Sequence, residues 1–200
     1  MTPPVKPTTT DQSTAPRSDT RSRLEKAALD LFVARGYDNV SPTEIAAAAG
    51  VSERTFFRHF PTKLDSLMGD QAERFEWFFN TLRSQPAELT PLEAVLATIE
   101  LDELEFPADR RNDAIRGQLI LATPTLNDAV RVFEGQTEEA LGWWLAERTG
   151  RTIEDYEVRV VAAALTALRR VVINTWIEEG GARPVSELAA RALHTMTLTL

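Results

Sequence analysis

The sequence predicts an all-α protein of about nine helices, and three observations carry that expectation. Apolar residues recur at three- and four-residue steps from Leu24 onward, no segment alternates as a half-buried strand does, and hydroxyl caps, prolines and glycines punctuate the chain where helices would begin and end. Three divisions follow. Residues 1–19 carry prolines 3, 4, 7 and 16 among threonines and serines, with little to bury, and are expected to be a disordered arm. Residues 20–67 form a small helical head, and residues 68–200 a larger helical domain.

The head can be read element by element. Helix one starts near Arg21, with Leu24, Ala27, Ala28, Leu31 and Phe32 on one stripe and Gly36 as its C-terminal cap. Ser41-Pro42-Thr43-Glu44 specifies the start of helix two: a capping hydroxyl, a proline where its missing N–H costs nothing, and a carboxylate that closes a capping box. That helix stops at Gly50. Helix three runs from Glu53 to Phe60 under a Ser52 cap and ends at Pro61. Thr62 and Asp65 then open a long fourth helix, expected to run unbroken from Lys63 to about Ser84. Further helices are expected near 91–105, 109–122, 125–149, 154–179 and 184–199.

Composition excludes several kinds of chemistry. The chain has no cysteine and only His59 and His194, which removes disulfides, thiolate metal sites and cysteine nucleophiles. No glycine-rich phosphate loop and no metal-ligand spacing occurs, so no cofactor, no metal and no enzymatic activity is expected. No apolar run is expected to reach the roughly 20 residues of a membrane span, and no signal core opens the chain, so the expected location is the cytoplasm without a membrane partner. The net charge of -8 is unevenly placed. Residues 1–63 hold 9 basic and 7 acidic side chains, and residues 64–200 hold 13 and 23. An acidic body repels phosphate and orients a more basic head toward DNA.

On helix three, at 100° per residue, Phe56 and Phe60 share one face while Arg54, Thr55 and Arg58 lie roughly opposite, with Phe57 and His59 on the flanks. One face is core and the other is suited to a major groove, where arginine reads guanine and threonine meets a thymine methyl. Lys63, Ser41 and Thr43 stand at helix starts suited to phosphate, as does Ser52. Taken singly, each residue also fits a solvated face or a simple cap. Together, two caps, a glycine turn, an apolar inner stripe and a cationic outer stripe are what a helix-turn-helix requires.

Residues 21–68 resemble the TetR-type DNA-binding domain, whose pattern appears here as Gly36-Tyr37, Ile45-Ala46 and Ala49-Gly50-Val51-Ser52, followed by Arg54-Thr55-Phe56-Phe57-Arg58-His59-Phe60-Pro61-Thr62-Lys63. The resemblance implies a transcriptional regulator, by family default a repressor, that binds a palindromic double-stranded operator as a homodimer and responds to a small molecule. It places Thr55, Phe57, His59 and Lys63 at positions that meet DNA. The family commonly has tyrosine where Phe57 stands, and phenylalanine lacks the hydroxyl that reaches phosphate, so Arg58 is expected to supply that contact. The Arg-Thr-Phe-Phe-Arg run also resembles the mycofactocin-associated regulator subgroup, some of whose members respond to acyl thioesters.

Within helix 154–179, Val158, Val161, Leu165, Leu168, Val172 and Trp176 form one apolar row, and Val160, Ala164, Ala167 and Val171 a second. The first row, with Leu188, Ala192 and Met196 of the last helix, is the expected dimer face; a helix central to a monomer core explains the same two-sided pattern. Phe78, Phe106, Phe133, Trp143 and Trp144 are expected to line an apolar effector pocket, with Arg116 facing an acidic ligand group. An adaptor that binds only protein is the remaining alternative. Retention on specific DNA separates it from a regulator.

Overall fold

The computed structural model describes residues 19–106 and 110–197, and among them the chain forms ten α-helices: α1 (Asp19–Arg35), α2 (Pro42–Ala48), α3 (Glu53–His59), α4 (Lys63–Met68), α5 (Gln71–Arg83), α6 (Pro91–Glu105), α7 (Arg110–Leu121), α8 (Asn127–Thr149), α9 (Tyr156–Glu178) and α10 (Val185–Thr197). The expected arm lies outside the described residues except for Asp19, which opens α1. Gly36, at φ 80°, turns the chain out of α1 into a single 3-10 turn at Tyr37–Asn39. Both expected capping boxes form, at Ser41/Glu44 and Thr62/Asp65, and Thr90/Glu93 builds a third at the start of α6.

The expected continuous fourth helix is corrected: it is two helices, broken at Gly69. That residue takes φ 64° and ψ -118°, backbone that an L residue reaches only under strain, so the chain turns there. The break is held from two sides. Arg21 of α1 donates to the Gly69 carbonyl at 3.0 Å, and the Arg116 guanidinium lies 3.6 Å from where a Gly69 Cβ would stand.

Three apolar cores form. The head packs Leu24, Ala28, Phe32, Ile45, Phe56, Phe60 and Leu67 together with Leu126, Leu119 and Ile120 of the larger domain, so the two parts share one core. Phe79, Leu82, Leu141, Trp144, Leu145, Val158 and Leu165 join α5, α8 and α9; Ala114, Val172, Trp176, Ile177 and Leu188 join α7, α9 and α10. α9 is central, packed by α7, α8 and α10.

That packing places most of the row expected at the dimer face inside the protomer. Val158, Leu165, Val172, Trp176 and Leu188 are buried within the protomer, while Leu168 and Ala192 are half-buried against its own core. Of the expected row only Val161 is exposed; the Met196 side chain lies outside the described residues. The second row is the outward one, with Val160 46% and Val171 59% exposed and Ala167 beside them. α9 also corrects the expectation that no run approaches membrane-span length, for it is long and apolar enough to cross one by length and composition alone. Its apolarity serves two faces of a packed helix, and Arg169 and Arg170 interrupt it.

Candidate DNA interface and effector cavity

At the tip of the head, the Ser52 hydroxyl accepts from the Thr55 N–H at 3.2 Å and starts α3. Phe56 and Phe60 are sealed inside, 5.7 Å apart, which rotates Arg54, Phe57 and Arg58 to the outside. Phe57 is 45% exposed. Among the described residues, neither Arg54 nor Arg58 has a carboxylate at ion-pair distance, whereas Arg21, Arg23, Lys26 and Arg35 of the same head are each paired. Uncommitted guanidinium groups on an exposed helix face are suited to base edges and phosphates.

The flanking residues are more constrained. Thr43 is exposed and donates to Glu53 at 2.9 Å, bracing α2 against α3; Thr55 is half-buried, 3.0 Å from the Ser52 hydroxyl. Ser41 is half-buried in its capping box, donating to Glu44 at 2.8 Å. His59 is half-buried, not outward, and its Nε2 has no hydrogen-bond partner among the described residues. Burial, then Arg58 and Arg21, push its imidazole below the ordinary value of 6.5, so at neutral pH it is uncharged. Lys63 is also inward: its ammonium donates to the carbonyls of Tyr37 at 2.9 Å and Val40 at 3.0 Å and lies 4.0 Å from the Tyr37 ring centre. Two of its three donors are therefore committed inside the head.

The helices of the larger domain, with α4 of the head, line a partly open cavity of about 650 Å³, within the range of small-molecule sites. Its wall is mostly apolar and brings together the expected Phe78, Phe106, Phe133 and Arg116. Trp143 and Trp144, also expected at an effector pocket, do not line this cavity. Trp143 is 56% exposed over a shallow groove with Arg83 and Ile153, and Trp144 is sealed in the core between α5, α8 and α9. Trp176 lines the cavity instead, its indole fixed by a hydrogen bond to the Arg183 carbonyl at 3.0 Å.

Apart from Arg116, the charged groups of the wall were not expected from the sequence. Arg74 holds Asp102 through two bonds of 3.0 Å and lies 3.8 Å from Asp113, which in turn meets Arg116 at 3.2 Å. Burial raises the Asp113 carboxyl despite both arginines. Arg169 was findable: it falls four residues after Leu165 and three before Val172, a cation inside an apolar stripe. Among the described residues no group of three or more acidic or histidine side chains could hold a metal ion.

An exposed cationic recognition helix on a shared-core head, joined to a helical domain with an apolar cavity, defines a helix-turn-helix transcriptional regulator. Residues 24–65 match the model described as bacterial regulatory proteins of the tetR family, and residues 89–200 match the MftR C-terminal domain. The chain belongs to the TetR family of DNA-binding transcriptional regulators; it is not an enzyme. The chain is 32% identical over 165 residues to the regulator TcmR of Streptomyces glaucescens, covering 78% of this chain and 73% of the relative. The fold is similar to SmeT of Stenotrophomonas maltophilia in complex with triclosan (19% identity, TM-score 0.62, 88% of each chain). It is also similar to Thermus thermophilus FadR, a repressor in complex with lauroyl-CoA (22% identity, TM-score 0.53, 90% and 96% of the two chains).

Proposed function

We propose that the protein is a cytoplasmic, homodimeric repressor that leaves a palindromic operator when a predominantly apolar small molecule fills the cavity. One observation carries the reading: the cavity wall and the core of the DNA-binding head are made in part from the same side chains. Leu64, Leu67, Ile120 and Leu126 belong to both. A ligand that repacks this wall acts directly on α4, whose first residue, Lys63, ties down the turn before α2. Binding and DNA release are then coupled through one packed layer.

Operator reading belongs to Arg54, Thr55, Phe57 and Arg58 on α3, with Ser41, Thr43, Ser52, His59 and Lys63 framing it. The outward row of α9, Tyr156, Val160, Ala167 and Val171, is the face offered to a second copy, because it is apolar and uncovered in the protomer. Structures of similar fold holding triclosan and lauroyl-CoA support a small-molecule occupant for such a domain. Selection of bound duplexes from random DNA tests the reading. A two-fold symmetric motif supports it; an asymmetric motif or no enrichment overturns it.

A further inference from the structure

We infer that the occupant of the cavity is an amphipathic carboxylate, its apolar body laid along the Phe75–Phe133 wall and its single negative charge received by Arg169. The inference rests on the effector reading above and names the chemistry of that same site.

The pairing of the charged groups around the wall singles out this residue. At the α5–α6–α7 end, Arg74 and Arg116 face Asp102 and Asp113, two cations against two anions in direct contact. Glu103 is committed to the start of α10, accepting from the Val185 N–H and the Ser186 hydroxyl at 2.5 Å each. At the α8–α9 end, two guanidinium groups, Arg169 and Arg170, face one carboxylate, Glu134. Glu134 lies 3.8 Å from Arg170, and Arg169 has no hydrogen bond or ion pair among the described residues. The wall as a whole carries four cations and four carboxylates, but at this end one positive charge has no contacting anion.

Arg169 is mostly buried, and its Nε is shielded from solvent without a partner. Burial pushes its guanidinium below the ordinary arginine value, outweighing the help of Glu134. A cation held in this way is destabilising unless something bonds it. Its neighbour is aromatic: the guanidinium carbon lies 5.3 Å from the Phe133 ring centre, Phe133 meets Phe75 at 5.6 Å, and Phe75 meets Phe79 at 4.7 Å. The wall therefore runs from apolar rings to a fork of unbonded donors. A carboxylate matches the fork and the one unmatched cation at this end; a phosphate monoester, nearer two negative charges, would leave charge uncompensated beside Glu134.

Calorimetric titration with decanoate, methyl decanoate and decan-1-ol tests this, using the full-length protein and its Arg169→Met and Arg169→Lys variants. The native protein should prefer decanoate to both uncharged probes. Arg169→Met should weaken decanoate by about tenfold or more while changing the ester by less than about twofold, and Arg169→Lys should fall between. The Met variant should melt no lower than the native protein, because it removes an unbonded buried charge and keeps an apolar stem. Equal affinities for acid and ester in the native protein, or equal losses of both in the Met variant, overturn the inference. Operator release is read separately: decanoate that binds through Arg169 without loosening DNA refutes the effector reading and leaves the anion site standing.

Discussion

The ammonium of Lys63 lies 4.0 Å from the centre of the Tyr37 ring and donates to the Tyr37 and Val40 carbonyls, joining the first turn of α4 to the segment between α1 and α2. The residue that the family resemblance places at DNA is thus also an internal tie of the head. Lys63→Met keeps the stem and removes the donors, leaving two backbone oxygens without these partners. Thermal or urea unfolding should show a loss of about 1–3 kcal/mol, and affinity for specific and random duplexes should fall together. Unchanged stability with weakened binding would assign Lys63 to phosphate alone.

Arg54 should behave differently, because it is exposed on the outer face of α3 and has no ion-pair partner among the described residues. Arg54→Ala should relax preference at one base pair by about 1–3 kcal/mol and leave the melting temperature unchanged. Competition against operator variants checks this. Equal loss on operator and random DNA would make Arg54 a phosphate contact.

The head was legible because its signals are local: a hydroxyl before a proline and a glutamate fixes the start of α2, and a glycine fixes the end of α1. The Gly69 break was not, since a lone glycine in a helical pattern is often tolerated and its φ/ψ is set by Arg21 and Arg116 from distant helices. Both rows of α9 read as apolar in sequence. Which row the protomer itself covers depends on how α7, α8 and α10 pack, and no local spacing records that. The aromatic residues were likewise indistinguishable in type, so Trp176 in the wall and Trp144 in the core separated only once the helices were assembled.

Acid should loosen the head through Glu44. The Ser41 backbone N–H, then the Arg35 guanidinium and the Ser41 hydroxyl, hold its carboxyl down to about 2 from an ordinary 4.5. A carboxyl depressed in the folded state contributes stability that is fully present above its unfolded value and is lost as pH falls through its folded value. Melting temperature should therefore decline between about 4.5 and about 2, and Glu44→Gln should be less stable at neutral pH with a shallower acid limb. A parallel decline in both proteins would remove Glu44 from the account.

Gly117 marks the tightest seam between α7 and α9. A Cβ there would stand 2.4 Å from Ile177 Cδ1 and 2.6 Å from Cγ1, beside the Gln118 side-chain bond to the Ile177 carbonyl at 3.1 Å. Gly117→Ala should cost about 1–3 kcal/mol by overpacking, and Ile177→Ala in the same chain should recover part of it. Denaturant unfolding of the single and double variants measures the coupling; strict additivity would refute the steric account.

Val171→Glu places a carboxylate on the outward row of α9, where the native side chain is 59% exposed. The protomer should fold normally, since nothing of its own core is touched, while light scattering should report monomers and the palindromic duplex should be bound weakly. A dimer that survives this charge, and the equivalent Val160→Glu, would move the interface elsewhere.

The break at Gly69 changes how a ligand must reach the DNA. A continuous helix from Lys63 to Ser84 would act as a rigid rod, but α4 spans only Lys63–Met68, and its apolar side, Leu64 and Leu67, forms wall of the cavity. The displacement therefore has to pass through those two side chains and the Ile120 and Leu126 contacts they share with the head. A cavity ligand that favours the released state should lower operator affinity by about 5- to 150-fold, corresponding to coupling of about 1–3 kcal/mol. Trp176 fluorescence reads occupancy in a variant whose other three tryptophans are replaced by phenylalanine, since that indole lines the cavity. Reciprocity supplies the internal check: saturating operator must weaken the ligand by the same factor. Leu64→Ala should keep ligand affinity within about twofold while shrinking that factor, because it removes a half-buried contact between wall and head and leaves most of the wall in place. If ligand affinity and the release factor both stay as in the native protein, the coupling does not run through α4.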